Sequence, residues 1–258
     1  MVTILFHDTI FGPIHSRRLG TSLGVNLMPN DGKICSFDCV YCEAGFNAQG
    51  AGTSGVSKRE EVAAALEAKL SAMKTSGEKL DVITFSGNGE PTLCPDFPGI
   101  IDDVIALRGK YFPNVKISVL SNSTMIDKAD VAQALKKVDN NILKLDSAVE
   151  ATMRAINCPG NKHFTVASVV EQLKQFRGQC IIQTMILRGD HKGNHIDNTT
   201  DSEIDALIKA YKEIQPAEVM IYSLDRPTPE TNLQKVEKPE LEAIAEKIRK
   251  EGIKVQVN

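Results

Sequence analysis

The sequence predicts an α/β fold built on a parallel sheet, and three observations predict it. Short apolar stretches alternate with longer stretches of helical spacing about six times along the 258 residues. The short stretches are nearly continuous in Val, Ile and Leu, as expected of parallel strands covered on both faces. No Pro/Gly-rich linker and no internal repeat divides the chain, so the expectation is a single domain over residues 1–258. Strand, helix, strand in repeated order implies right-handed crossovers. Two architectures satisfy that order: an open doubly wound sheet, and a closed or partly closed barrel. Both place a site at the carboxyl ends of the strands.

The elements follow in order. An N-terminal segment and first strand occupy residues 1–30, with "SLGVNLMP" as the strand. "KREEVAAALEAKLSAMK" carries Val62, Leu66, Leu70 and Met73 at helical spacing. "DVITFSG" is a short strand, and "FPGIIDDVIALRG" a helix whose end is expected at Gly109. "VKISVLSN" is a strand; "DKADVAQALKKV" is a helix with Asp127 as its N-cap candidate. "NILKLDS" is a strand, "FTVASVVEQLKQF" a helix, and "CIIQTMILRG" a strand. "LRGDHKGNHIDNTT" reads as a flexible polar loop over the site; Gly189 and Gly193 argue against a helix that would pair His191 with His195 on a metal. "DSEIDALIKAYKEI" is a helix and "AEVMIYSL" a strand. A C-terminal helix and strand close the chain over 237–258.

Composition bounds the function. A net charge of -3 and a pI near 6.0 lack the basic excess of a dedicated nucleic-acid binder, although "HSRRLG" and "IRKEGIK" are local basic spots. No apolar run is long enough to span a membrane. The start "MVTILFHDTI" lacks a basic region followed by a long apolar one, so no signal peptide is expected and the expected location is the cytoplasm. A disulfide framework would need an oxidising compartment. The six cysteines are therefore expected to be reduced, with Cys94, Cys158 and Cys180 as buried small apolar residues.

The other three, Cys35, Cys39 and Cys42, stand in "CSFDCVYC" within a loop expected over 31–48. Two sites fit three clustered thiolates. A structural zinc would need a fourth ligand from far away, such as Cys94, Cys158 or His163. A [4Fe-4S] cluster held by three thiolates would keep one iron open for a small molecule to chelate.

"CSFDCVYC" resembles the cluster loop of the radical S-adenosylmethionine (SAM) enzymes, C-x3-C-x-aromatic-C, with Tyr41 at the aromatic place. With "GPIHSRRLGTSLGVN", "FSGNGEPTL" and "DRPTPE", the chain resembles a short branch of that superfamily related to the tRNA wyosine-base synthases. The resemblance implies a partial (β/α)6 TIM-like barrel of parallel strands with the radical SAM core. It implies a [4Fe-4S] cluster on Cys35, Cys39 and Cys42 and S-adenosyl-L-methionine on the open iron. Reductive cleavage of SAM would then give a 5′-deoxyadenosyl radical that abstracts hydrogen from a substrate. Tyr41 is expected near the adenine. Gly87, Asn88, Gly89 and Glu90 match the family's Gly-Gly-Glu turn, whose backbone holds the methionyl amino group, with Asn88 at the first glycine place.

The other strand ends supply further candidates. Asn122 is expected on the SAM carboxylate or ribose. Lys144 and Asp146 share one face of their strand, either as SAM contacts or as a mutually satisfied interior pair; Gln183 is similar. Substrate candidates are Arg17, Arg18, Tyr222 and Arg226, the last as an anion clamp or as a salt-bridge partner of Asp225. With no cysteine before Cys35, a single cluster is expected. The substrate class stays open among small molecule, protein (as for an activase of glycyl-radical enzymes) and RNA. The expected reductant is a flavodoxin or ferredoxin-type donor. The non-enzyme alternative is a metal-stapled scaffold.

Overall fold

The computed structural model describes residues 4–16 and 19–258. Two strands open it, β1 (Ile10–Ser16) and β2 (Gly20–Val25). After a long loop come α1 (Arg59–Ser76), β3 (Val82–Phe85), α2 (Phe97–Tyr111) and β4 (Lys116–Ser121). Next are α3 (Ala129–Leu135), β5 (Asn140–Lys144), α4 (Glu150–Asn157), α5 (Val166–Leu173) and β6 (Cys180–Met185). A hairpin of β7 (Leu187–His191) and β8 (Asn194–Asp197) precedes α6 (Asp201–Ile214) and β9 (Glu218–Tyr222). The chain finishes with β10 (Leu233–Lys235), α7 (Lys238–Arg249) and β11 (Val255–Val257).

The main sheet runs β1-β2-β3-β4-β5-β6-β9-β11. Only β1 is antiparallel; every later pairing is parallel, across six helical crossovers. The edges formed by β1 and β11 do not pair, so the sheet is a partial barrel. The α1 stripe Val62, Leu66, Leu70 and Met73 is buried as its spacing requires. It packs with one face of the strands, including Leu23, Ile83, Phe85, Val119, Leu143, Ile182 and Ile221, as the main core. The opposite face of the sheet is mixed. Ser22 and Thr84 share a hydrogen bond of 2.8 Å, and the Asn140 amide donates to Ser118 Oγ at 2.8 Å. Lys144 and Gln183 stand side by side at the carboxyl end of that face. A second, smaller core of Phe37, Val40, Tyr41, Ile156, Met185, Leu187, Ile196 and Leu224 roofs these strand ends. Among the described residues no helix is long and apolar enough to cross a membrane.

Several elements differ from expectation, and α4 and β10 are additional to those the sequence predicts. Strand β1 is additional: Gly12 and Pro13 interrupt its pattern, and such residues are tolerated at an edge strand. Gly109 does not end α2, which continues to Tyr111 and stops where Phe112 precedes Pro113. Lys128, rather than Asp127, is the N-cap of α3, and no side-chain capping bond forms. The stretch "CIIQTMILRG" is two strands. Strand β6 stays in the main sheet, whereas β7 leaves it at Ile186 to join a three-stranded antiparallel sheet in the order β10-β7-β8. The presumed loop is therefore a hairpin. Lys192 (φ 50°) and Gly193 (φ 78°) make its two-residue turn, a left-handed pair that suits strand twist.

Candidate active site

Cys35, Cys39 and Cys42 sit on the loop between β2 and α1, which has no regular structure of its own beyond one short 3-10 turn. It is fixed from several sides. Ile34, next to Cys35, forms a parallel bridge with Gly89: its N–H donates to Asn88 O at 3.1 Å and its carbonyl accepts from Glu90 N at 3.0 Å. Gly89 has φ +146°, and a Cβ there would lie 1.8 Å from Ile34 O, so close approach of the two backbones requires glycine. On the other flank, the amides of Asp38 and Val40 donate to the carbonyls of Asn157 and Ile156 at the end of α4, each at 3.0 Å. Lys33 spans the loop, donating to Gly45 O at 2.6 Å.

Lys33 lies 3.6 Å from Asp38, with its side chain only 1% exposed. Burial opposes its charge, but the sulfurs of Cys42, Cys35 and Cys39 together with Asp38 outweigh that and hold its pKa above the ordinary value. Burial, reinforced by the Glu90 charge, pushes the Cys35 thiol up to about 11, and burial raises Cys39 further still. The thiolate forms of Cys35 and Cys39 are thus costly in the metal-free chain, and a bound metal centre would offset that cost together with Lys33. Three soft donors on one loop with a buried ammonium behind them fit an anionic iron–sulfur cluster. No three His, Cys, Asp or Glu side chains among the described residues are grouped to hold a single metal ion. Cys158 is half-buried, and its thiol is engaged with Ala155 O at 3.5 Å. Cys94 and Cys180 are buried, as expected of small apolar residues.

The strand ends bring most of the candidate residues to this loop. Asp146 is fully buried; its Oδ2 accepts from Tyr41 Oη (2.5 Å) and Asn157 Nδ2 (2.6 Å), and its Oδ1 from Met185 N (2.9 Å). Lys144 Nζ stands 3.5 Å from the same carboxylate and donates to Tyr41 Oη at 2.5 Å. Burial works against the Lys144 charge, yet Asp146 holds its pKa above the ordinary value, and burial holds the Tyr41 phenol protonated. The interior-pair arrangement of Lys144 and Asp146 is thus present, with Tyr41 as its third member.

Glu90 is buried. Its Oε1 accepts from Thr92 N and Oγ1, and its Oε2 from Asn122 N at 2.6 Å, joining the ends of β3 and β4. The Asn88 side chain points to the N-terminal segment: it accepts from Phe6 N and donates to Phe6 O and Pro29 O, each at 2.8 Å. The Asn122 amide donates to Ser36 Oγ at 2.9 Å and to Cys35 Sγ at 3.5 Å.

A cleft of about 250 Å³ opens beside Tyr41, lined also by Met185, Tyr222, Leu224, Arg226 and Lys238. Arg226 pairs with Glu43, not Asp225, at 2.8 Å across the cleft, and Asp225 lies 3.9 Å from Lys235; the chain neighbours are separated because each side chain finds a more distant opposite charge. His191 and His195 face carboxylates, Glu230 and Asp190, on the hairpin side. Arg17 and Arg18 lie outside the described residues. Sequence reasoning missed Lys33, Asn157 and Asn198, whose amide donates to Asp146 O and Met185 O and accepts from Leu187 N. A signal existed for Lys33, a lone cation in "GKIC", and for Asn157, opening the turn "NCPG".

Comparison with known proteins agrees with this geometry. The profile of the Radical SAM superfamily matches residues 30–197. A UPF0026 protein of Methanocaldococcus jannaschii is 32% identical over 243 residues, covering 91% of this chain and 68% of that protein. A radical SAM methyltransferase from Sphaerobacter thermophilus superposes with TM-score 0.67 at 14% identity, over 92% of this chain and 65% of that one. Streptococcus suis SuiB bound to S-adenosylmethionine gives 0.64 at 14% identity, over 91% and 50%. This chain spans less than two thirds of either solved protein, and at such identity the likeness is one of fold. With the profile running from the loop's approach through the hairpin, the chain belongs to the radical SAM superfamily, enzymes whose cofactors are a [4Fe-4S] cluster and S-adenosylmethionine.

Proposed function

We propose that Cys35, Cys39 and Cys42 carry one [4Fe-4S] cluster and that SAM completes its coordination, for hydrogen abstraction from a substrate. The observation that carries this reading is the convergence of the three thiols, the turn 87–90 and Tyr41 on one end of the sheet. The cluster, when bound, supplies the electron for cleavage of SAM to methionine and a 5′-deoxyadenosyl radical. The chain itself orients and encloses. The bridge between Ile34 and Gly89 sets the turn that would hold the methionyl amino group directly beside Cys35. Asp146 and Lys144 fix the Tyr41 ring as one wall of the cleft where the adenosyl part would lie, and Met185 and Leu224 make that wall apolar. Gln183, Tyr222 and Arg226 lie toward the same end and are proposed to face SAM or substrate. An external one-electron donor of the flavodoxin or ferredoxin class completes the scheme.

Anaerobic reconstitution tests it. The expected result is about four irons and four sulfides per chain, with 5′-deoxyadenosine formed from SAM under dithionite. Cys39→Ala should lose the cluster, since two thiolates remain. One zinc per chain without SAM cleavage would overturn the reading.

A further inference from the structure

Two of the three cysteine sulfurs each receive a side-chain amide. Asn157 Nδ2 lies 3.5 Å from Cys39 Sγ, and Asn122 Nδ2 lies 3.5 Å from Cys35 Sγ. Both asparagines are buried, and they come from different elements, the end of α4 and the end of β4.

An asparagine can present either its nitrogen or its oxygen to a neighbour, so the identity of the other partners decides. For Asn157 the decisive partner is Asp146, whose Oδ2 lies 2.6 Å from the amide nitrogen. A carboxylate only accepts, so the NH2 group must face it, and the second N–H is left for Cys39. Asp146 is itself held by Met185 N and Tyr41 Oη. For Asn122 the decisive partner is the backbone amide of Thr124, which donates to Asn122 Oδ1 at 3.0 Å. A backbone N–H only donates, so the oxygen must face it, and the nitrogen turns to Ser36 Oγ and Cys35 Sγ. Neither amide can flip without placing donor on donor or acceptor on acceptor.

We propose that Asn157 and Asn122 are positioning residues whose locked N–H groups donate to the Cys39 and Cys35 sulfurs and raise the reduction potential of the cluster. The inference rests on the reading that these cysteines carry it. An N–H···S bond draws charge from the thiolate, and the benefit is greater when the cluster has gained its extra electron, so reduction is favoured. The electron comes from the external one-electron donor; no bond in the protein is made or broken.

The test uses the iron-loaded full chain with Asn157→Leu and Asn122→Leu, which keep the approximate volume and remove the donor. Potentiometric titration followed by EPR should show each midpoint shifted to lower potential. At a fixed solution potential the reduced-to-oxidised ratio should fall about tenfold, equivalent to 59 mV for a one-electron couple. A midpoint unchanged in both variants at full iron content overturns the inference while leaving the cluster assignment standing. Absence of any cluster in the wild-type chain instead overturns that assignment. Should the variants fail to retain iron, pulsed EPR of the reduced wild-type protein after exchange into D2O decides: deuteron couplings to the cluster are expected, and their absence refutes the hydrogen bonds.

Discussion

Asp146→Ala is the most informative single perturbation of this site. The carboxylate is fully buried and accepts from Tyr41, Asn157 and the Met185 amide while facing Lys144 at 3.5 Å. Its removal leaves a largely buried ammonium without its counter-charge, a loss of about 3–5 kcal/mol for a broken buried pair. Each orphaned buried donor would cost about 1–3 kcal/mol alone. These contributions overlap, because one carboxylate serves all the partners, so the expected total is about 4–6 kcal/mol. With a urea slope of about 3 kcal/mol/M, the midpoint of the iron-free protein should fall by roughly 1.3–2 M. Asp146→Asn should be little milder, because its new NH2 would meet the donors of Tyr41, Asn157 and Lys144. Replacing both charges, Asp146→Leu with Lys144→Met, should recover part of the loss, since no unpaired charge remains. In a variant that retains iron, SAM affinity should also drop as Tyr41 loses its tether. A midpoint shift corresponding to less than about 1 kcal/mol for the alanine variant, or a double variant worse than the single one, would refute the reasoning.

Other perturbations report on separate parts of the site. Gly89→Ala forces a side chain onto Ile34 O at φ +146° and breaks two bridge hydrogen bonds; it should cost roughly 2–5 kcal/mol and lower iron retention, whereas Gly109→Ala, with open space around it inside α2, should stabilise by roughly 0.5 kcal/mol in the same urea titration. Burial holds the Glu90 carboxyl above its ordinary value against the opposing bonds from Thr92 and Asn122. The folded chain then keeps a proton that the unfolded chain has lost, so stability falls as pH rises from the ordinary carboxylate range through the raised folded value; Glu90→Gln should lack that slope in urea midpoints of the iron-free protein. Lys33→Met removes the buried cation beside the sulfurs and leaves Gly45 O without its donor; anaerobic loss of iron to a chelator should quicken, and an unchanged rate would count against charge compensation by Lys33.

Much of the frame is legible because its signals are collective. Four apolar residues at helical spacing place the buried stripe of α1, and the strand–helix alternation sets the parallel order from β2 to β11. The three thiols are legible because they fall within eight residues of one loop. The roles of the polar residues are less so, because a residue type does not disclose its partner. Asn88 stands at a motif position, yet its amide serves the N-terminal segment. Asn122 suits a strand-end contact to SAM, yet its amide is engaged with Thr124, Ser36 and Cys35. The hairpin is obscured by Lys192, a non-glycine residue in the left-handed region at its turn. Strand β6 is obscured by its continuation, since the apolar run passes through Ile186 without marking where β7 leaves the sheet.

The buried polar residues locate the site independently of the cysteines. A loop without regular structure would be entropically expensive to hold in one conformation, and apolar packing alone does not fix its backbone at hydrogen-bond precision. Asn26, Lys33, Asn88, Glu90, Asn122, Asp146, Asn157 and Asn198 are all buried, against the preference of their side chains for water. They arise in seven separate stretches of sequence, and each bonds to the cluster loop, to a strand end beside it, or to another member of the group. A core needs none of them, because an apolar residue at any of these positions would avoid the cost of burying a polar group. Their convergence on one end of the sheet, beside the loop that carries Cys35, Cys39 and Cys42, supports the proposed site by an observation separate from the cysteine spacing.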